Sequence, residues 1–201
     1  MTAAVLPLFS LPALVFGAHC ALAAPCVSLA PSATPIGLDT PGIPALPKAS
    51  ISPETVTLQS HPVVFVTGES KWDDAEQSLG NAFHAVYGEI GRLNLHASGM
   101  PMVEYVDSDD DKFTYKAMVP IEAKPSVELG DDVQSGDGPA GTVLKFVHKG
   151  PFDELEQVYN HIDDYLAANH LTMKRVVEEY QTDRAKTPPE KQITNIYVFT
   201  E

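Results

Sequence analysis

The stretches Trp72-Asp73-Asp74-Ala75-Glu76-Gln77 and Phe152-Asp153-Glu154-Leu155-Glu156-Gln157 repeat one pattern, an aromatic followed by an acidic first helical turn. Acids favour the positive end of any helix dipole, so that turn alone is weak evidence of duplication. The flanks carry the same correspondence. Phe65-Val66 and Phe146-Val147 precede the two stretches, and Glu104-Tyr105 and Glu179-Tyr180 follow them. Apolar residues at Ala75, Leu79, Ala82, Phe83, Val86 and Ile90 make one helical face over 72–93. Leu155, Val158, Tyr159, Ile162, Tyr165 and Leu166 do so over 152–169. Runs at 61–67, 102–106, 113–121, 142–147, 175–181 and 194–200 read as strands. A duplicated β-α-β-β unit, with repeats at about 55–122 and 142–201, predicts an α+β domain. Its apolar faces are buried by one antiparallel sheet with both main helices on one side, pseudo-twofold symmetric. Equivalent residues then surround the axis, and the two Glu-Tyr strands can contribute to one pocket between the repeats.

Outward of the repeats the chain changes character. Residues 1–24 contain no Asp, Glu, Lys or Arg, and Ala21-Leu22-Ala23-Ala24 follows an apolar stretch. That is the shape of a secretory signal peptide cleaved near Ala23, so a periplasmic or secreted protein is expected, with no membrane insertion after cleavage. Pro7 and Pro12 interrupt the stretch and argue against an anchor. Cleavage removes Cys20 and leaves Cys26, so no internal disulfide is expected. From 25 to 52, Pro25, Pro31, Pro35, Pro41, Pro44 and Pro47 break any period, which predicts a Pro/Ala/Ser-rich disordered linker. The folded domain is expected over 53–201.

Composition narrows the partners. The 201 residues carry 13 Lys+Arg against 27 Asp+Glu, a formal charge of -14, with 44% hydrophobic residues. So acidic a chain, with no run of Lys or Arg, has nothing to displace counterions from a phosphate backbone, so no nucleic acid is expected. A small hydrophobic or cationic ligand is compatible with the field. Oligomeric state is not legible in the composition.

His148-Lys149-Gly150-Pro151-Phe152 opens a longer pattern that continues through Leu155, Tyr159, Leu166, Leu171, Glu178-Glu179-Tyr180, Asp183, Pro188-Pro189-Glu190 and Thr194-Asn195-Ile196-Tyr197-Val198. On these residues the chain resembles the GyrI-like family, the effector-binding domain also attached to AraC- and MerR-type multidrug regulators. The resemblance covers about 56–201, in letters in the second repeat and in pattern in the first. Family members often carry Trp near position 165, where this chain has Tyr165. The resemblance implies a small-molecule pocket between the repeats, with a glutamate at its floor that meets lipophilic cations. The family pattern points to Glu178, two residues before Tyr180, and a shift of one would give Glu179. Strand alternation puts Glu178 and Tyr180 on one face and Glu179 on the other, which favours Glu178.

The chemistry is coherent without the resemblance. A carboxylate among aromatic rings is costly to desolvate, so a ligand that restores a positive charge is favoured. Tyr and Trp rings add cation–π attraction of about 0.5–2 kcal/mol. The expected ligand-binding set is Glu178, Glu179, Tyr180, Tyr105, Tyr159, Trp72 and Phe152; Trp72 and Phe152 also fit plain core packing at helix starts.

Other motifs carry less. Asp107-Ser108-Asp109-Asp110-Asp111 lacks the Gly and distant Glu of an EF-hand loop and reads as a hairpin turn. His161 and Asp164 have no evident third ligand and read as a solvated face, so no metal is expected. No phosphate-binding Gly loop or hydrolase motif occurs, and no cofactor is expected. A haem-binding family shares a similar duplicated fold, but these motifs fit the drug-binding branch. The leading expectation is an exported, stand-alone binding protein for an amphipathic or cationic drug-like molecule. One alternative is a hydrolase opening strained rings of cytotoxic compounds through Glu178; the other is a protein-interaction module.

Overall fold

A computed structural model describes residues 52–130 and 132–201. The expected signal peptide and linker lie, apart from Ser52, outside the described residues. Eight strands form one antiparallel sheet in the order β1-β6-β8-β7-β3-β4-β2-β5. They are β1 (Glu54–Leu58), β2 (Pro62–Lys71), β3 (Met102–Ser108), β4 (Lys112–Pro120), β5 (Gln134–Asp137), β6 (Gly141–Lys149), β7 (Met173–Tyr180) and β8 (Ile193–Thr200). The helices are α1 (Ala75–Arg92) and α2 (Leu155–Ala168), each entered through a short 3-10 turn that begins at Trp72 or Phe152.

The duplication is visible in local geometry. Each helix ends on a residue in the left-handed region, Asn94 at φ 50° and His170 at φ 57°. At both ends the following leucine closes a six-residue turn: Leu95 N–H donates to Ile90 O at 2.9 Å, and Leu171 N–H to Leu166 O at 3.0 Å. This is a Schellman stop, which satisfies carbonyls the helix leaves orphaned. Gly150 has a φ of +151°, and a side chain there would press on Glu154 and His148. That glycine lets β6 turn sharply through Pro151 into α2.

Both helices lie on one face of the sheet. Leu79 and Ala82 of α1 pack on Val103, Phe113, Tyr115 and Ala117, and Leu155, Val158, Ile162 and Leu166 of α2 pack on Phe146, Val176, Ile196 and Val198. All of these strand residues share one parity in the paired registers, as a two-residue period requires. The Asp107–Asp111 segment is a turn: Asp109 Oδ1 accepts the backbone N–H groups of Asp111 and Lys112, each at 2.9 Å.

Two strands lie outside the runs read from the sequence. β1 is a five-residue run at the start of the domain, and β5, Gln-Ser-Gly-Asp, lies in what reads as an acidic Gly-rich loop. Both form because edge strands need partners, whatever their own propensity. Their pairing closes the architecture. β1 and β2 are joined by only 59–61, yet six neighbour steps separate them in the sheet. Six steps at about 4.8 Å span about 29 Å in a flat sheet, whereas that link reaches about 14 Å. The sheet must therefore curl. Glu54↔Lys145 to Leu58↔Gly141 and Pro62↔Asp137 to Phe65↔Gln134 keep one constant register across the bend. The curl thus encloses the concave face, and Val63, Met102, Met118, Val143, Val177 and Tyr197 are buried there.

Glu89 fastens α1 to the loop after β4. Its carboxylate accepts Arg92 Nε at 2.7 Å, Arg92 Nη2 at 2.6 Å and Gly130 N–H at 2.8 Å. The Arg92 bonds hold its pKa down at about 2. A depressed carboxyl stabilises the fold above its ordinary 4.5 and loses that effect as pH falls through about 2. Glu89→Gln should therefore melt lower than wild type at pH 6, with the gap closing toward pH 2; a gap independent of pH would refute the ion-pair account.

Candidate functional site

The central strands β3 and β7 pair with Val103 opposite Glu178. By the repeat correspondence Val103 and Glu178 are equivalents, so the pseudo-twofold axis passes through this pair. Tyr105 and Tyr180 are equivalents flanking it, Tyr105 opposite Val176 and Tyr180 donating its N–H to Pro101 O at 3.0 Å. The second repeat has an acid where the first has valine, and both tyrosines turn toward that acid.

Glu178 is 1% exposed. Tyr159 Oη, reaching in from α2, donates to its Oε1 at 2.7 Å. Tyr180 Oη and Tyr105 Oη donate to Oε2 at 2.9 and 3.3 Å. Among the described residues no Lys, Arg or His is in ion-pair contact with it. Burial raises its pKa above the ordinary carboxylate value; the three hydroxyls, and more remotely the Arg184 charge, act the other way without cancelling it. Burial first, and then the Glu178 charge, push all three phenols well above their ordinary value, so the tyrosines stay donors.

Beside this cluster lies a cavity of about 680 Å³ with walls from both repeats. Leu79, Phe83 and Tyr87 of α1 line one side, and Tyr180, Arg184 and Gln192 the other. Phe83 meets Tyr180 edge-on, with ring centroids 6.0 Å apart. Arg184 sits in the loop between β7 and β8, its guanidinium 4.2 Å from the Phe152 ring centre and 6.0 Å from that of Tyr180. Its ion pair with Glu76, at 3.4 Å, is long, and Glu76 is largely exposed. Its Nε is buried and has no hydrogen-bond partner among the described residues.

The sequence-expected residues are thus distributed. Glu178, Tyr180, Tyr105 and Tyr159 come together around one carboxylate. Trp72 stacks on Phe113 at 4.4 Å and Tyr105 at 6.1 Å, and its Nε1–H donates to Asp109 O, so it backs the cluster. Phe152 lies under Arg184. Of the expected set only Tyr180 faces the cavity, and it stands between the cavity and Glu178. Glu179 points to the concave face, where it accepts Tyr197 Oη at 2.7 Å and Asn195 Nδ2 at 2.9 Å. Sequence reasoning missed Arg184, whose only signal was being a cation four residues after Tyr180. His161 is not on a solvated face, since both ring nitrogens are buried and without hydrogen-bond partners among the described residues. Among those residues no group of three or more His, Cys, Asp or Glu could hold a metal ion.

Several solved structures share this fold. The EcmrR C-terminal domain superposes with a TM-score of 0.61 at 14% identity, covering 74% of this chain and 96% of that one. In the EcmrR-DNA complex the TM-score is 0.63 at 15% identity over 74% of this chain, which spans only 57% of the EcmrR chain. A hydrolase from Listeria innocua gives 0.55 at 16% identity, with 76% and 93% coverage. SAV2435 bound to tetraphenylphosphonium gives 0.51 at 18% identity, with 74% and 93% coverage. These identities speak to the fold alone. No curated protein matches the chain. The GyrI-like small molecule binding domain model matches residues 52–199, the span that holds both repeats and the Glu178 cluster, and the chain belongs to that family.

Proposed function

We propose that this protein binds an amphipathic organic cation in the inter-repeat cavity, drawn by the charge of Glu178. The observation that carries the reading is a carboxylate buried under three phenols, with no cation of the described residues in contact, one ring away from a cavity. In water a charge at that distance is nearly screened; in a dry interior it is felt several times more strongly. Arg184 supports this, because it lines the cavity and still perturbs Glu178. The cavity volume falls within the about 300–1,000 Å³ usual for small-molecule sites. That SAV2435 has been solved with tetraphenylphosphonium makes this cation a reasonable probe. The uncharged, apolar composition of residues 1–24 supports export as part of the same reading.

The test is a calorimetric titration with tetraphenylphosphonium and with triphenylphosphine oxide, a neutral molecule of similar shape. Saturable micromolar binding of the cation, at least about tenfold tighter than the neutral compound, is expected. Equal affinity for both would remove the carboxylate from the account. Turnover of a strained electrophile instead would favour the hydrolase alternative, for which a buried carboxyl with a raised pKa is a suitable acid or base.

A further inference from the structure

Glu179 belongs to a second cavity, on the opposite side of the sheet from the helices. The curl of the sheet makes its concave face an interior. One mouth of that interior lies between the 59–61 bend, residues Ser98 and Gly99, and the central strands, and holds a cavity of about 340 Å³. Gly138 N–H donates to His61 O at 2.8 Å, which fixes the bend that frames it. Leu58, Val63, Met102 and Pro120 form an apolar part of its wall. Thr57, Gln59, His61, Ser98 and Tyr197 add polar groups to the lining, and Glu179 is its acid.

The hydrogen bonding of Glu179 is lopsided. Tyr197 Oη and Asn195 Nδ2 both donate to Oε2, at 2.7 and 2.9 Å, while Oε1 receives no donor among the described residues. No Lys, Arg or His of those residues pairs with Glu179. Two neutral donors on one oxygen fix the carboxylate orientation and leave its other oxygen to an incoming donor. Mouths of curled and closed sheets are places where ligands bind.

We propose that this mouth is a second binding site, specific for a small primary ammonium ion carrying a single ring or short alkyl group. The ammonium donates to Glu179 Oε1 and the apolar group rests on Leu58, Val63 and Met102. Anions are repelled by the unpaired carboxylate. At 340 Å³ the cavity is at the small end of ligand sites, half the volume of the helix-side cavity, so bulky cations are excluded. Adjacent residues of β7 therefore serve two sites, because alternation sends Glu178 to one face and Glu179 to the other.

Titration of the full chain with benzylammonium, followed by calorimetry, tests this. Saturable submillimolar binding is expected, at least about tenfold weaker in Glu179→Gln and unchanged in Glu178→Gln. Benzyl alcohol, lacking the charge, should not saturate. Ser98→Trp supplies a second route: Ser98 is exposed, lies on the cavity lining and is held by its backbone N–H to Pro120 O, so the indole should block the mouth and abolish binding in a protein that melts as wild type does. No saturation by benzylammonium in wild type overturns the proposal. So does binding that survives Glu179→Gln or Ser98→Trp, or that is lost in Glu178→Gln, since the ion would then occupy the helix-side site or none.

Discussion

Glu178→Gln should weaken tetraphenylphosphonium binding at least about tenfold, or about 1.4 kcal/mol, while making the unliganded protein more stable at neutral pH. The two effects share a cause. Burial raises the Glu178 pKa, so the fold favours the protonated acid and the carboxylate is maintained at a cost. The sign follows from linkage. A raised carboxyl contributes its full stability below the ordinary value of 4.5, and that contribution is lost as pH rises through the folded value. Glutamine is neutral throughout; its carbonyl oxygen can accept the Tyr180 and Tyr105 hydroxyls, and its NH2 can donate to the Tyr159 oxygen. The melting temperatures of variant and wild type should converge below pH 4.5 and separate above the raised value. There the variant should melt above wild type. A variant that loses both affinity and stability would mean that the carboxylate is chiefly a structural acceptor for Tyr105, Tyr159 and Tyr180. Unchanged affinity would mean that its charge does not reach the ligand.

The parts of this arrangement that the sequence discloses are the locally encoded ones. The helical faces of α1 and α2 follow from the spacing of Leu79, Ala82, Val86 and Ile90 and of Leu155, Val158, Ile162 and Leu166, all of them buried. The split of Glu178 from Glu179 follows from strand alternation. The Val103–Glu178 axis follows from the Glu-Tyr repeat once β3 and β7 are known to be neighbours, and that pairing is non-local. β5 shows the opposite limit. Nothing in Gln134-Ser135-Gly136-Asp137 favours a strand, and it exists because Pro62 to Phe65 offer an edge. The curl of the sheet, and with it the second cavity, depends on two such pairings in constant register. Arg184 was invisible for a related reason. Its position over Phe152 is set by how 181–192 folds back: Gln192 Nε2 donates to Arg184 O at 3.3 Å and to Thr187 O at 3.1 Å, and Gln181 N–H donates to Ile193 O at 3.0 Å.

Arg184→Gln should raise affinity for tetraphenylphosphonium about fivefold, the equivalent of about 1 kcal/mol. The guanidinium lies where a ligand cation would gain most, over the Phe152 ring, near Tyr180 and within the field of Glu178. It is poorly rewarded there. Its partner Glu76 is exposed and 3.4 Å away, and its Nε is buried with no hydrogen-bond partner among the described residues. An exposed ion pair of that kind contributes about 0–1 kcal/mol, and an unsatisfied buried donor works against it. A bound cation therefore competes with the chain's own charge, and removing that charge removes the competitor. Arg184→Lys, which keeps the charge, should stay near wild-type affinity. The double variant with Glu178→Gln separates this account from a loosening of the loop. If Arg184 acts through the Glu178 field, the gain from Arg184→Gln shrinks once the carboxylate is gone, and the cycle shows coupling. A gain of equal size in both backgrounds assigns Arg184 to steric closure alone. Weaker binding in Arg184→Gln would show that the guanidinium holds the cavity wall in place, and would end the competition account.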